Sequence, residues 1–176
     1  MKPISNYTIE YLKLRDEIDS FSKKLEEKHQ KYMNCKSGCD LCCMDYSIFP
    51  VEFYSILEEL KNRDFTGSVL PEIQDEENCI FLNDHRCQIY ESRPVICRTH
   101  GLPLLFANDD GEWELSACEL NFTEYNFEKF TPKNTFPQDK FNSELFVLNK
   151  KFIAGFSEKR FGEFELIPLK NLKKEL

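Results

Sequence analysis

The sequence predicts a mainly helical α+β fold, with two short β-hairpins between amphipathic helices. Three observations predict it. Two segments have apolar residues at helical spacing, one near the start of the chain and one towards its end. Between them lie two turn signals, each flanked by β-prone residues. The chain has 176 residues, the usual size of one domain, so we expect a single domain over residues 1–176.

The first helix is predicted over about residues 8–33. Apolar side chains recur there at steps of three, four and finally seven, with charged residues between them. These side chains are Tyr11, Leu14, Ile18, Phe21, Leu25 and Tyr32. We expect this apolar stripe to pack against the core.

Two further helices are predicted from the same periodicity. One begins at Pro50, because proline is favoured in the first turn of a helix, and continues through VEFYSILEEL. The other covers about residues 138–154. The apolar positions that define them are Phe53, Ile56, Leu57 and Leu60, and then Phe141, Leu145, Leu148 and Phe152. Residues 62–78 contain Gly67, Pro71 and an acidic cluster, which indicates a solvated loop.

Two hairpins are predicted in the middle of the chain. In the first, residues 80–82 and 88–90 flank an Asn83-Asp84 turn signal. In the second, LPLLFA and EWELSA flank residues 108–111, which end in a strong Asp-Gly turn signal. The returning strand of this second hairpin leads directly to Cys118.

Composition excludes two classes of partner. Acidic side chains outnumber basic ones by 31 to 23, which leaves a formal charge of -8. Because nucleic-acid binding relies on Lys and Arg to neutralise phosphates, we expect no nucleic-acid partner. The N-terminus is polar, and no run approaches the roughly 18 apolar residues of a membrane span. We therefore expect a cytoplasmic protein with no membrane partner.

The chain contains eight cysteines, and these are the candidate functional residues. They are Cys35, Cys39, Cys42, Cys43, Cys79, Cys87, Cys97 and Cys118. Disulfides are rare in reducing compartments, so eight thiols in a cytoplasmic chain favour metal ligation over four disulfides in an exported protein. Soft thiolates favour zinc, copper(I) or an iron–sulfur centre over magnesium or calcium. The sequence therefore predicts a cysteine-cluster metal-binding core over residues 35–118.

The first four thiols lie within CKSGCDLCC, at positions i, i+4, i+7 and i+8. A helix would place all four on one stripe. A tighter turn at Gly38 would instead let the first three surround an ion while the fourth points elsewhere. The other four thiols are separated by seven, nine and twenty residues. The total suggests either two four-ligand sites or one larger centre that joins the hairpin region to the helices.

Three histidines are further candidates. His29 lies among charges at the end of the first predicted helix, so we expect it to be solvated. His85 lies in the first hairpin turn, where exposure is expected. His100 follows Cys97 by three residues, a spacing that suits a metal ligand or a proton carrier; the alternative is a hydrogen-bonded structural role.

The cysteine region resembles the YkgJ family of cysteine-cluster proteins, whose signature is of the CxxCxxCC type. The resemblance rests on CKSGCDLCC, CIFL, CQIYESRP and VICR, and covers about residues 35–118. It implies a zinc- or iron-chelating domain; flagellin lysine N-methylase is similar to the family in its cluster region. The sequence departs from the pattern in two places: the first gap holds three residues instead of two, and His100 replaces an expected aromatic residue.

The resemblance also extends to Arg93, Pro94 and Arg98, which match the family's pattern. We expect Pro94 to fix a turn. The two arginines are expected to donate hydrogen bonds to thiolate sulfur and offset its charge, in preference to binding a substrate.

Three functions are consistent with this sequence. The first is a metal-centre protein, holding zinc or iron (including a 4Fe–4S cluster), with a redox or protein-modification role. The second is a zinc-stabilised interaction module without catalysis. The third is a metal chaperone or sensor, since the adjacent Cys42 and Cys43 suit metal exchange. The expected partners are the metal ion and a protein partner or substrate. The sequence leaves open whether the protein is an enzyme.

Overall fold

The computed structural model describes residues 6–36, 38–70, 78–156 and 160–176. The described part contains five α-helices: α1 Asn6–His29, α2 Pro50–Asn62, α3 Val95–Thr99, α4 Gln138–Gly155 and α5 Leu172–Glu175. Its seven strands are β1 Ser47–Ile48, β2 Leu82–Asn83, β3 Arg86–Cys87, β4 Leu104–Ala107, β5 Trp113–Ser116, β6 Phe136–Pro137 and β7 Ile167–Pro168. They form small sheets of two or three strands, so the predicted mainly helical α+β fold is confirmed.

The three predicted long helices are present as α1, α2 and α4. Helix α1 continues into a single 3₁₀ turn, Gln30–Tyr32. The apolar stripes of α1 and α4 meet in a first core, to which Val51 of α2, helix α3 and the chain around α3 also contribute. Its buried members are Tyr11, Leu14, Ile18, Leu25, Val51, Val95, Leu102, Phe136, Phe141, Leu145, Leu148 and Phe152.

Helix α2 separates this first core from a second one. Val51 faces the first core, whereas most of the apolar residues of α2 face the second. The second core comprises Ile48, Phe53, Ile56, Leu57, Leu60, Leu70, Ile80, Phe81, Ile89, Leu169 and Leu172. Cys79 and Cys87 pack against it as partly buried side chains, which places part of the thiol region directly on apolar packing.

The first hairpin is present but shorter than predicted. Strands β2 and β3 pair antiparallel, with Leu82 opposite Cys87 and Asn83 opposite Arg86. The turn lies one residue later than predicted, on Asp84 and His85, whose φ angles are +47° and +57°. Two consecutive left-handed residues are typical of a type I′ turn, which matches the twist of the flanking strands.

The second hairpin is confirmed as β4 and β5, which pair antiparallel from Leu104 opposite Ser116 to Ala107 opposite Trp113. Strand β6 extends this sheet by pairing parallel to β4, an addition that the sequence does not predict. The sheet leads the chain back to Cys118 at the thiol region.

The C-terminal tail has a structural role that the sequence analysis leaves unassigned. Strand β7 pairs antiparallel with β1, and Leu169 and Leu172 are buried in the second core. The sequence does not predict the burial of Leu169 and Leu172, because the residues around them are rich in lysine. Of the predicted loop, residues 71–77 lie outside the described residues. None of the described helices is both apolar enough and long enough to cross a bilayer.

Candidate metal centre

The CKSGCDLCC segment is a series of turns, so the helical alternative for it is wrong. Gly38 has φ +91°, a left-handed conformation that ends any helical continuation. Two short turns follow, in which Cys39 N donates to Lys36 O at 3.0 Å and Cys43 N donates to Asp40 O at 2.8 Å. The four thiols of the segment therefore lie on turns and not on one helical stripe.

We call Cys35, Cys39, Cys42 and Cys118 the first thiol group, because the last three lie near Cys35. Burial raises the pKa of Cys35, and the neighbouring Cys118, Cys39 and Cys42 raise it further, because a thiolate on any of them would repel a second negative charge. Cys118 therefore lies within electrostatic range of the first three thiols of the segment, although it is far from them in sequence.

The Cys35 thiol rests against two residues outside the signature motif. Asn121 donates from Nδ2 to Cys35 Sγ at 3.2 Å and to the carbonyl of Gly101 at 2.8 Å. Gly101 has φ +90°, and a Cβ at this position would lie 2.6 Å from Cys35 Sγ. Only glycine fits this position without moving the sulfur.

The second thiol group consists of Cys43, Cys79, Cys87 and Cys97. A hydrogen bond from the Cys42 thiol lowers the pKa of Cys43, while burial and the neighbouring Cys79, Cys87 and Cys97 oppose that shift. Backbone pairing supports this arrangement, because Cys79 N donates to Cys43 O at 3.1 Å. The fourth thiol of the segment thus lies near the thiols of the hairpin and of α3, while it also accepts a hydrogen bond from Cys42.

Burial dominates the acid–base chemistry of the second group. It raises the pKa of Cys79 to about 11. It also raises the pKa of Cys97 strongly, with further contributions from Cys79, Cys87, Glu52 and Cys42. A bound cation would reverse this balance, because it stabilises the thiolates that burial and mutual repulsion otherwise disfavour.

The two groups meet at the adjacent residues Cys42 and Cys43. Because the Cys42 thiol donates to Cys43, the pKa of Cys42 is raised while that of Cys43 is lowered. Tyr46 lies beside this junction and donates its hydroxyl to Cys42 O at 3.3 Å. Burial raises the pKa of Tyr46 to about 12, and Cys97, Cys42, Cys43 and Cys79 contribute to the shift.

Helix α3 presents Cys97 and is held by a buried carboxylate. Glu52 Oε1 accepts from Val95 N at 3.0 Å, at the first residue of α3, and from the Tyr11 hydroxyl at 3.2 Å. Glu52 also accepts from Phe49 N at the start of α2, as in a capping box. Burial raises the pKa of Glu52 to about 7. One carboxyl group therefore anchors the first turns of two helices.

Within the described part of the chain, neither arginine donates to a thiol sulfur, contrary to the expectation from the sequence. Arg98 is buried and donates to the carbonyls of Glu91 and Arg93 and to the carboxylate of Asp19. Arg93 donates to Tyr90 O and stacks on the Tyr90 ring. Burial raises the pKa of Cys87, and the charge of Arg93 opposes that shift.

The three histidines have different surroundings. The expectation of a solvated His29 is wrong: it is 2% exposed, and its Nε2 lies 2.7 Å from Asn134 O, among the rings of Phe122, Tyr125 and Phe130. His85 is exposed, as expected, and lies 2.8 Å from Asp40. His100 packs on Tyr46 with ring centroids 5.2 Å apart, and burial lowers its pKa.

The donor chemistry of the region fits a thiophilic metal. All eight cysteines are free thiols. Zinc and iron–sulfur centres take thiolate ligands, whereas hard cations take oxygen. Within residues 6–36, 38–70, 78–156 and 160–176, no three His, Cys, Asp or Glu side chains already form a coordination geometry.

Residues 34–119 match the family model CxxCxxCC, described as "Putative zinc- or iron-chelating domain". This matched segment, slightly less than half of the chain, is similar to that family, and we call it the CxxCxxCC region. The match contains all eight cysteines and covers almost the same residues as the cysteine-cluster resemblance, which it confirms. The family description supports binding of zinc or iron. No curated protein and no solved structure matches the chain.

The sequence motifs do not predict a role for several residues that contact the thiols. Gly101, Tyr46 and Glu52 lie between recognisable motifs, and Asn121 lies beyond the CxxCxxCC region. Their roles depend on tertiary contacts with the segments that carry the thiols. Of these residues, Gly101 alone has a sequence signal, because glycine is typical of turns.

Proposed function

We propose that the protein binds zinc or iron through two groups of four thiolates, and that the bound metals hold distant segments of the chain together. One observation carries the proposal: each group combines thiols that are far apart in sequence. The first group joins Cys35, Cys39 and Cys42 to Cys118, and the second joins Cys43 to Cys79, Cys87 and Cys97.

Closed sites with four cysteine ligands are typical of structural zinc. Because metal binding to such sites contributes directly to folding free energy, two metals here would stabilise the turns and the small hairpin, which contain little regular structure. A reducing compartment such as the cytoplasm keeps the thiols available as ligands. The proposed function is therefore a metal-stabilised module that presents its surface to a protein partner or substrate.

A single larger centre with a redox role is the second candidate. The hydrogen bond between Cys42 and Cys43, together with the proximity of Cys42 to Cys97, favours it, because these contacts connect the two groups. A 4Fe–4S cluster would use four of these thiolates. Such a centre would give a coloured protein, whereas zinc would not.

The two candidates are separated by metal analysis of the full-length protein purified without oxygen. We expect two equivalents of metal in the wild type and about one equivalent in each of the variants Cys118→Ser and Cys79→Ser. Met44→Ser serves as the control, because it removes an exposed sulfur atom beside Cys43 without removing a thiol. Loss of all metal from both cysteine variants would favour the single centre. Wild-type metal content in both would refute the proposal, and the visible spectrum distinguishes iron from zinc.

A further inference from the structure

Asn121 is a buried amide at which three separate segments meet. Its side chain is 3% exposed. Its Oδ1 accepts from Asn34 N at 2.7 Å, while Nδ2 donates to Gly101 O at 2.8 Å and to Cys35 Sγ at 3.2 Å. The residue thus contacts the segment that carries the first thiol and the turn that follows α3.

The hydrogen-bonding partners fix the orientation of this amide. A backbone N–H requires the carbonyl oxygen of the side chain, and a backbone carbonyl requires its amino group. The amino group has two hydrogens. One is directed to Gly101 O, which leaves the other for the sulfur of Cys35.

Asn121 is also tied to Cys118, another thiol of the first group. Asn121 N donates to Cys118 O at 2.9 Å, and the next residue, Phe122, donates from its backbone to Tyr32 O at 2.7 Å. The same short segment therefore positions two thiols of the first group. Asn121 lies just after the CxxCxxCC region, which ends at residue 119.

We propose that Asn121 is a positioning residue of the first thiol group, which orients the Cys35 thiolate towards the metal and completes the site from outside the CxxCxxCC region. This inference rests on the proposed function. An amide N–H that donates to a ligating thiolate fixes the side-chain rotamer and partly neutralises the charge on sulfur. Partners of this kind contribute about 10–100-fold to metal affinity.

Asn121→Asp is the sharpest perturbation, because it keeps the shape of the side chain and the acceptor for Asn34 N but removes both donors. It also places a carboxylate beside the Cys35 sulfur. Asn134→Asp is the matched control. Asn134 is also buried, accepts from Thr131 N and donates to Lys129 O, but its contacts are in the aromatic cluster around His29.

The assay is competition between a chromophoric chelator and full-length protein loaded with zinc under reducing conditions, with thermal unfolding measured in parallel. We expect Asn121→Asp to weaken one equivalent of zinc by about tenfold or more. Asn134→Asp should leave both zinc affinities unchanged, even where it lowers the melting temperature. In the Cys35→Ser background, Asn121→Asp should cause no further loss of zinc affinity, because the thiolate through which Asn121 acts on the metal is absent.

Two results would overturn the inference while leaving the proposed function intact. One is an equal loss of zinc affinity in the two aspartate variants. The other is an undiminished effect of Asn121→Asp in the Cys35→Ser background, which would show that Asn121 acts through general stability. Full zinc affinity in Cys35→Ser itself would overturn the assignment of Cys35 as a ligand, and the inference with it.

Discussion

Replacing Glu52 by glutamine should change how the stability of the protein depends on pH. Glu52 is 3% exposed and accepts from both Tyr11 and Val95 on the same oxygen, Oε1. Glutamine can retain this oxygen as its amide carbonyl. The substitution therefore removes the ionisable group while keeping the hydrogen bonds from Tyr11 and Val95. The NH2 group that replaces the second oxygen cannot accept from a backbone N–H such as that of Phe49, but this cost is the same at every pH.

The magnitude follows from the pKa of the buried carboxyl group. Burial raises the pKa of Glu52 from 4.5 to about 7. Between these values the folded state binds more protons than the unfolded state, so the free energy of unfolding falls as the pH rises. Each pKa unit corresponds to about 1.4 kcal/mol, so the complete effect is about 3 kcal/mol. The stabilisation is fully present below pH 4.5 and is lost as the pH rises through 7.

The assay is urea unfolding of both proteins from pH 5 to pH 8, with chelator and reductant throughout so that metal content is the same at every pH. Relative to the wild type, Glu52→Gln should gain on the order of 2–3 kcal/mol over this range. Glu119→Gln, at an exposed position, controls for the loss of one negative charge. A stability difference between Glu52→Gln and wild type that stays constant from pH 5 to pH 8 would refute the reasoning.

Three further predictions follow from packing and from the thiols. Gly101→Ala should weaken zinc binding by the first thiol group, because the new Cβ would lie 2.6 Å from Cys35 Sγ; chelator competition measures this, and unchanged affinity would contradict it. Phe81→Ala should lower the free energy of unfolding by about 3–5 kcal/mol in urea, since the ring is fully buried in the second core; a loss below 1 kcal/mol would argue against that packing. Alkylation of freshly prepared, chelated and denatured protein should modify all eight cysteines by mass spectrometry, whereas intact disulfides would exclude a ligand role for the bridged residues.

The sequence predicts those elements whose stability is local. Helices α1, α2 and α4 each carry their own apolar stripe, and the β4–β5 hairpin carries a strong turn signal. Helix α3 is five residues long and has no such stripe. It depends on Glu52, which caps its first turn, and on the hydrogen bonds of Arg98, which are all tertiary contacts. A pattern search along the chain does not detect such contacts.

The candidate site, like the fold, has one part that the sequence predicts and another that depends on tertiary contacts. Residue chemistry identifies all eight thiols as ligand candidates, because eight soft donors in one chain, four of them within nine residues, are informative on their own. Their separation into two groups depends on the β4–β5 hairpin returning Cys118 to Cys35, and on the turn that directs Cys43 towards Cys79. The prediction of a solvated His29 is wrong for a related reason. The charged residues around it in sequence lie on the outer face of α1, whereas its own side chain points into an aromatic cluster.

The anchoring of the second thiol group is uneven, and this determines where the effect of metal loss should begin. Cys97 lies on α3, which Glu52 and Arg98 attach to the helical core. Cys87 lies on β3, which pairs with β2 over only two residue pairs. Isolated two-stranded hairpins are marginal in water. Chelation should therefore reduce hydrogen-exchange protection at β2 and β3 first, while α3 and the long helices keep theirs. Equal protection of the hairpin amides with and without metal would mean that the metal does not hold this region, and would favour a labile or catalytic centre over a structural one.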